Sequence, residues 1–210
     1  MQLVLASNSP RRRELLALLG LSFDVCSPTF KEQPITGLPP LEQVTGFALE
    51  KARSVARARS RDLVLGGDTV IELDGRLLGK PHDLRDARAM LTCLAGRSHH
   101  VHTAVALCSQ VRGIESVEVA TATVHMKTEV DQALERYLAT QESLGKAGAY
   151  SIQGLGGELI ERIDGDYTTV VGLPLKVTAQ LLLSAGYPIP RDVEDLYQRK
   201  PYANWSRLAV

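Results

Sequence analysis

Apolar residues fall into short blocks separated by polar turns along the whole chain. Leu3 to Ala6 predicts a short buried strand. Ser9 is a good N-cap and Pro10 suits the first helical position, so a helix is predicted through Leu15, Leu16, Leu18 and Leu19 to Gly20. Phe23 to Cys26 reads as a second strand, followed by a Pro-rich loop from Pro28 to Pro40. Val44, Phe47, Ala48 and Lys51 recur at helical spacing and predict a helix from Leu41 to about Ala58. Leu63 to Leu65 reads as a buried strand, and Asp74-Gly75 predicts a hairpin within Val70 to Leu78. Asp83 can cap a helix that runs through Leu94 to Gly96.

Val101 to Leu107 and Ser116 to Met126 read as long strands, the second alternating through Val117, Val119, Thr121 and Thr123. Thr128 or Asp131 starts a helix with Leu134, Tyr137 and Leu138, and the Gly-rich stretch Gly145 to Gly157 reads as a loop. Glu158 to Ile163 and Tyr167 to Val171 are expected to be strands paired around Asp164-Gly165, and Pro174 to Ala185 to be a helix. Beyond Gly186 the chain is polar and Pro-bearing. We divide it into a domain at 1–186 and a loosely docked tail at 187–210. Strands and helices mix without strict alternation, which favours an α/β fold of mixed α+β type over a purely parallel sheet.

Lys plus Arg and Asp plus Glu both number 24, so the net charge is zero and bulk nucleic-acid binding is disfavoured. A local basic cluster for a small polyanion remains compatible with that balance. Cys26, Cys93 and Cys108 are far apart and lack metal-ligand spacing, which suits a reducing compartment. No apolar run approaches the ~20 residues needed to span a bilayer, and the first residues do not read as a signal peptide. A cytoplasmic protein without membrane partners is expected.

Ser7-Asn8-Ser9-Pro10-Arg11-Arg12-Arg13 places a strand end, a polar turn and a helix start in succession. A helix N-terminus carries unpaired N–H groups and a positive dipole end, so arginines there oppose it by roughly 0.3–1 kcal/mol each at the surface. A polyphosphate would reverse that cost by meeting N–H donors, hydroxyls and guanidinium forks together. A solvated basic helix start, paired to Glu14 or other acids, is the other reading.

Asp68 follows Leu63 to Leu65 and Gly66-Gly67, where a carboxylate often faces a cleft. It could bind a divalent metal, accept a proton from water, or simply make a local turn with Thr69. Lys51 and Lys80 are candidate phosphate partners, and either could equally be solvated. His99, His100 and His102 lack a completing ligand set; strand alternation puts His100 and His102 on one face, and structural roles are favoured. The P-loop, dinucleotide and nucleophile-elbow motifs are all missing.

In combination these residues resemble the Maf family of nucleoside triphosphate pyrophosphatases. The similarity is carried by Ser7-Asn8-Ser9-Pro10-Arg11-Arg12, Glu32, Glu50-Lys51-Ala52, Gly67-Asp68-Thr69-Val70, Gly79-Lys80-Pro81, Gly96-Arg97-Ser98-His99, Lys146 to Gly154 and Val170 to Leu175. The resemblance implies a Maf/ITPase-like architecture: an elongated mixed β-sheet flanked by helices, two lobes around a cleft, and a homodimer. It implies hydrolysis between the α and β phosphates. Asp68 is then the proton acceptor for the attacking water. Glu32 and Asp68 hold a divalent metal cation (Mg²⁺, Mn²⁺ or Co²⁺), and Ser7, Arg11, Arg12, Lys51 and Lys80 hold the triphosphate.

The stretch Ala147 to Gly154 is similar to members acting on dTTP and UTP, which makes Arg11, Thr69 and Gln153 the specificity positions. A Gln amide can donate to and accept from a uracil-type edge at once. Lys31 stands where the family usually has an acid, Ser151 replaces a usual Gly, and the tail from Tyr187 has no family counterpart. The alternatives are a pyrophosphatase for 7-methyl-GTP or ITP-type purines, and a non-catalytic nucleotide-binding regulator of cell division.

Overall fold

The structure is a computed structural model that describes residues 1–33 and 35–209. Among the described residues, seven strands form one mixed sheet: β1 (Leu3–Ala6), β2 (Phe23–Cys26), β3 (Leu63–Leu73), β4 (Arg76–Leu78), β5 (Ser98–Ser109), β6 (Ile114–Met126) and β7 (Ile160–Asp164). The order is β2-β1-β3-β5-β6-β7, with β4 paired to β3. The helices are α1 (Pro10–Leu18), α2 (Pro40–Ala56), α3 (Leu84–Leu94), α4 (Asp131–Ala139), α5 (Tyr167–Val171), α6 (Leu175–Ser184), α7 (Val193–Arg199) and α8 (Ala203–Leu208). The expected mixed α/β class is what the chain adopts.

The chain divides into two compact units, and β3, β5 and β6 each contribute residues to both. The first unit comprises residues 1–69, 103–120 and 172–199. Here β1 pairs in parallel with β2 on one side and β3 on the other, Leu3 lying opposite both Phe23 and Leu63. A strand paired on both edges and covered on both faces must be apolar throughout, and Leu3, Val4, Leu5 and Ala6 are all fully buried. Leu15, Leu16 and Leu19 of the α1 region and Val44, Ala48 and Ala52 of α2 belong to the same core.

The second unit comprises residues 70–102, 121–171 and 200–210. Its β3–β4 hairpin turns at Asp74-Gly75, both with positive φ (51° and 76°), as the sequence predicts. Its core includes Leu91, Leu94, Val124, Tyr137, Ile160 and Tyr167.

Three expectations are corrected. Tyr167 to Val171 is a helix, and β7 pairs antiparallel with β6. The Asp166 carboxylate accepts hydrogen bonds from Thr168 N (2.9 Å) and Thr168 Oγ1 (2.6 Å), which starts a helical turn despite the β-branched run. The strand at Leu63 also does not stop at the glycines but continues through Gly66 and Gly67 to Leu73. After Gly186, where the pattern gave no elements, α7 and α8 form, and α8 buries Trp205 and Leu208.

Candidate active site

The first unit gathers most of the candidate residues. β1 delivers the chain to Ser7, which is buried and whose Oγ accepts from Ser9 N at 3.1 Å. Ser9 caps α1 by accepting from Arg12 N. The serine hydroxyls therefore order the turn, and Arg11 to Arg13 occupy the first helical turn. Arg12 folds back from it: Nε donates to the Gly172 carbonyl at 2.8 Å and Nη2 to Thr69 Oγ1 at 3.0 Å. Thr69 Oγ1 in turn lies 3.0 Å from Thr103 Oγ1. Gly172 holds φ at 121°, where glycine alone is unstrained, and so can aim its carbonyl at the guanidinium.

The second part of the cluster depends on how closely α2 lies on β3. A Cβ on Gly66 would sit 2.5 Å from the Ala48 carbonyl oxygen and 2.8 Å from Ala52 N, so helix and strand touch through bare backbone. Lys51 belongs to that turn of α2. Only 6% exposed, it places Nζ 2.5 Å from Asp68 Oδ1 and pairs also with Glu32 Oε1. The loop carrying Glu32 is held by buried Gln43, which accepts from Ile35 N at 2.9 Å and donates to the Leu38 carbonyl at 2.9 Å.

Burial raises the pKa of Asp68, against the opposing pull of Lys51 and Arg12, and the nearby Glu32 adds to the rise. Burial likewise lowers that of Arg12, while Asp68 and Glu32 pull it back up. A guanidinium stays charged regardless. Two cations and two carboxylates thus meet, Lys51 and Asp68 buried, Arg12 half-buried and Glu32 exposed, with Asp68 a stronger base than a solvated aspartate.

Lys80 and Gln153 belong to the second unit. Lys80 is exposed, directly after Gly79, whose carbonyl accepts from Gly148 N at 3.0 Å. That bond ties the Lys80 loop to the loop that continues to half-buried Gln153. Tyr150, in the same loop, has its hydroxyl 2.7 Å from His99 Nε2. His99 is buried and its pKa is lowered to about 4, chiefly by burial, so it is neutral and structural. His102 lies between Glu72 Oε2 and Thr121 Oγ1, each at 2.8 Å. Among the described residues no group of three or more His, Cys, Asp or Glu has an arrangement that could hold a metal.

Sequence reasoning did not single out Thr103, Gly172 or Gln43. Gly172 lies in the block Val170 to Leu175, but a carbonyl acceptor leaves no side-chain signal. Gln43 was legible only as a polar residue beside Val44 on the buried face of α2.

A match to the family described as Maf-like protein spans residues 2–185. The chain belongs to the Maf-like protein family. Among its relatives, the dTTP/UTP pyrophosphatase of Moorella thermoacetica is 47% identical over 188 residues, covering 90% of this chain and 97% of that protein. The dTTP/UTP pyrophosphatase of Anaeromyxobacter dehalogenans is 46% identical over 191 residues, covering 90% and 96%. That of Bacillus pumilus is 42% identical over 185 residues, covering 88% and 97%. The Ham1 protein of Staphylococcus aureus aligns with a TM-score of 0.44 at 18% identity, over 61% of this chain and 73% of that one.

Proposed function

We propose that this Maf-like protein hydrolyses dTTP and UTP to the nucleoside monophosphate and pyrophosphate. The observation that carries the chemistry is the buried Asp68, paired to Lys51 and close enough to Arg12 for each to shift the other's ionisation. Support for the substrate comes from relatives, 42–47% identical and bearing that activity in their names, that match along almost their whole length.

Phosphoanhydride hydrolysis needs positioning, charge neutralisation and an activated water. Arg11, Arg12 and Lys51 supply positive charge for the triphosphate, and Ser7 and the first turn of α1 supply hydrogen-bonding groups. Lys80 adds a further cation, and Gln153 reads the pyrimidine edge, with Arg11 and Thr69 contributing to specificity. Asp68 accepts a proton from water as its oxygen attacks the α phosphorus. The bond from that phosphorus to the bridging oxygen breaks, and pyrophosphate leaves with its charge matched by the arginine and lysine set.

A divalent cation fits the donor set. Glu32 and Asp68 converge on one Lys51 ammonium, and Mg²⁺ commonly takes one or two carboxylates with phosphate oxygens completing its shell. Glu32 and Asp68 would hold it, and once bound it supplies further neutralisation of phosphate charge.

Product analysis tests this reading. Incubation of dTTP with the metal-stripped protein should give no products, and added Mg²⁺, Mn²⁺ or Co²⁺ should yield dTMP and pyrophosphate. Release of dTDP and orthophosphate would refute cleavage between the α and β phosphates.

A further inference from the structure

The family match ends at residue 185, and the Moorella relative leaves only 3% of its own length outside an alignment that leaves out a tenth of this chain. The segment from residue 186 onward lies outside the family match. Its last part is firmly built into the second unit. Trp205 of α8 is 2% exposed and stacks on Tyr167 at 5.2 Å with the rings 10° apart, and Tyr202 stacks on the same Tyr167 ring at 6.2 Å. Leu208 is fully buried, Ala209 bridges Ile163 of β7, and Lys200 Nζ donates to the Ala209 carbonyl at 2.8 Å.

From that base α8 grips one loop. Asn204 Nδ2 donates to the Ile152 carbonyl at 2.6 Å and to the Gly154 carbonyl at 3.2 Å. These are the residues on either side of Gln153. Arg207 Nη2 donates to the Gly157 carbonyl at 2.8 Å and to Asn204 Oδ1 at 3.2 Å. An amide whose oxygen is engaged by a guanidinium must present its two N–H groups elsewhere, here to the two carbonyls. A Cβ on Gly157 would lie 2.4 Å from Asn204 Nδ2, so the loop is shaped to admit this side chain. Fixing the carbonyls before and after a residue fixes its backbone and so the direction in which its side chain leaves the loop.

We infer that α8 is a positioning element for nucleotide selectivity: Asn204, oriented by Arg207 and anchored through Trp205, sets the conformation from which Gln153 reads the base. This rests on the proposed role of Gln153 in pyrimidine recognition. Preordering of a recognition residue removes part of the entropy lost on binding, and a loosened loop discriminates less well between bases.

The test is the ratio of kcat/KM for dTTP to that for ITP, measured on the full-length protein by pyrophosphate release. For Asn204→Ala we expect the ratio to fall about tenfold, and for Arg207→Ala in the same direction by less. A merely unfolded fraction would lower both substrates alike and leave the ratio unmoved. In a Gln153→Ala background, Asn204→Ala should leave the ratio where Gln153→Ala has put it. A wild-type ratio in both Asn204→Ala and Arg207→Ala would overturn the inference, as would an additive effect in the Gln153→Ala background. Absence of dTTP hydrolysis by the wild-type protein would instead overturn the proposed function, and this inference with it. If Asn204→Ala fails to fold, Arg207→Ala decides by the same ratio.

Discussion

Burial opposes the ionisation of Asp68, Lys51 and Arg12 favour it, and burial has the larger effect, so the pKa lies above the ordinary aspartate value of 3.8. A base must be deprotonated to act. Activity should therefore fall, as pH is lowered, along a limb that lies above the ordinary aspartate range. Lys51 holds the pKa down by charge and by its hydrogen bond, so Lys51→Met should move that limb to still higher pH. A profile of kcat/KM against pH reads the position of the limb even when its height drops. A limb that stays put in Lys51→Met would separate Asp68 from the step that limits the rate. Arg12 has a different task. Its two hydrogen bonds to Gly172 and Thr69 fix a planar fork whose geometry lysine does not reproduce.

At the scale of elements, the ion pair exists because α2 and β3 touch without side chains between them. Gly66→Ala would push a methyl group against the Ala48 carbonyl, and backbone cannot swing aside as a flexible side chain can. Overpacking of this kind typically costs about 1–3 kcal/mol. The denaturant midpoint should fall accordingly, and dTTP hydrolysis should fall further than stability alone explains, because Lys51 moves with α2. An unchanged midpoint would mean that the helix has slack at this contact.

The same contact shows why reading the sequence succeeds in some places and not in others. Ser9-Pro10 and Asp74-Gly75 announce a helix start and a hairpin because their dihedral preferences are local, and both appear where expected. Gly66-Gly67 reads as an interruption, yet β3 runs on, because Gly66 makes room for the backbone of α2 and Gly67 lies against the Ala104 carbonyl and the Arg12 side chain. Tyr167 to Val171 has strand composition, and the Asp166 cap makes it helical. In the site, Ser7, Arg11, Arg12, Lys51 and Asp68 were legible from residue type and motif. Gln43, which holds the Glu32 loop, Thr103, which meets Thr69, and the Gly172 carbonyl, which accepts from Arg12, were not, since their contribution arises only when distant segments meet.

For the whole molecule, the two units carry different electrostatic liabilities. The first holds the charged cluster. The second buries the neutral His99, whose pKa is lowered to about 4 from an ordinary value near 6.5. A depressed folded-state pKa means that the unfolded chain takes up the proton first. His99 therefore contributes full stability above about pH 6.5 and loses it as pH falls toward about 4, a change of roughly 3 kcal/mol. Thermal unfolding followed across that window should show a falling midpoint in the wild-type protein and a flatter one in His99→Gln. Parallel curves would assign the acid sensitivity to other groups.

The proposed role of Asp68 is that of proton acceptor in cleavage of a nucleoside triphosphate. Its most direct test is the rate of pyrophosphate release from dTTP by Asp68→Asn, with circular dichroism recorded on the same sample. The amide is close in shape but cannot accept the proton, so the fold should be kept while kcat drops by about 10²–10⁴. A folded Asp68→Asn protein that hydrolyses dTTP at the wild-type rate would contradict it.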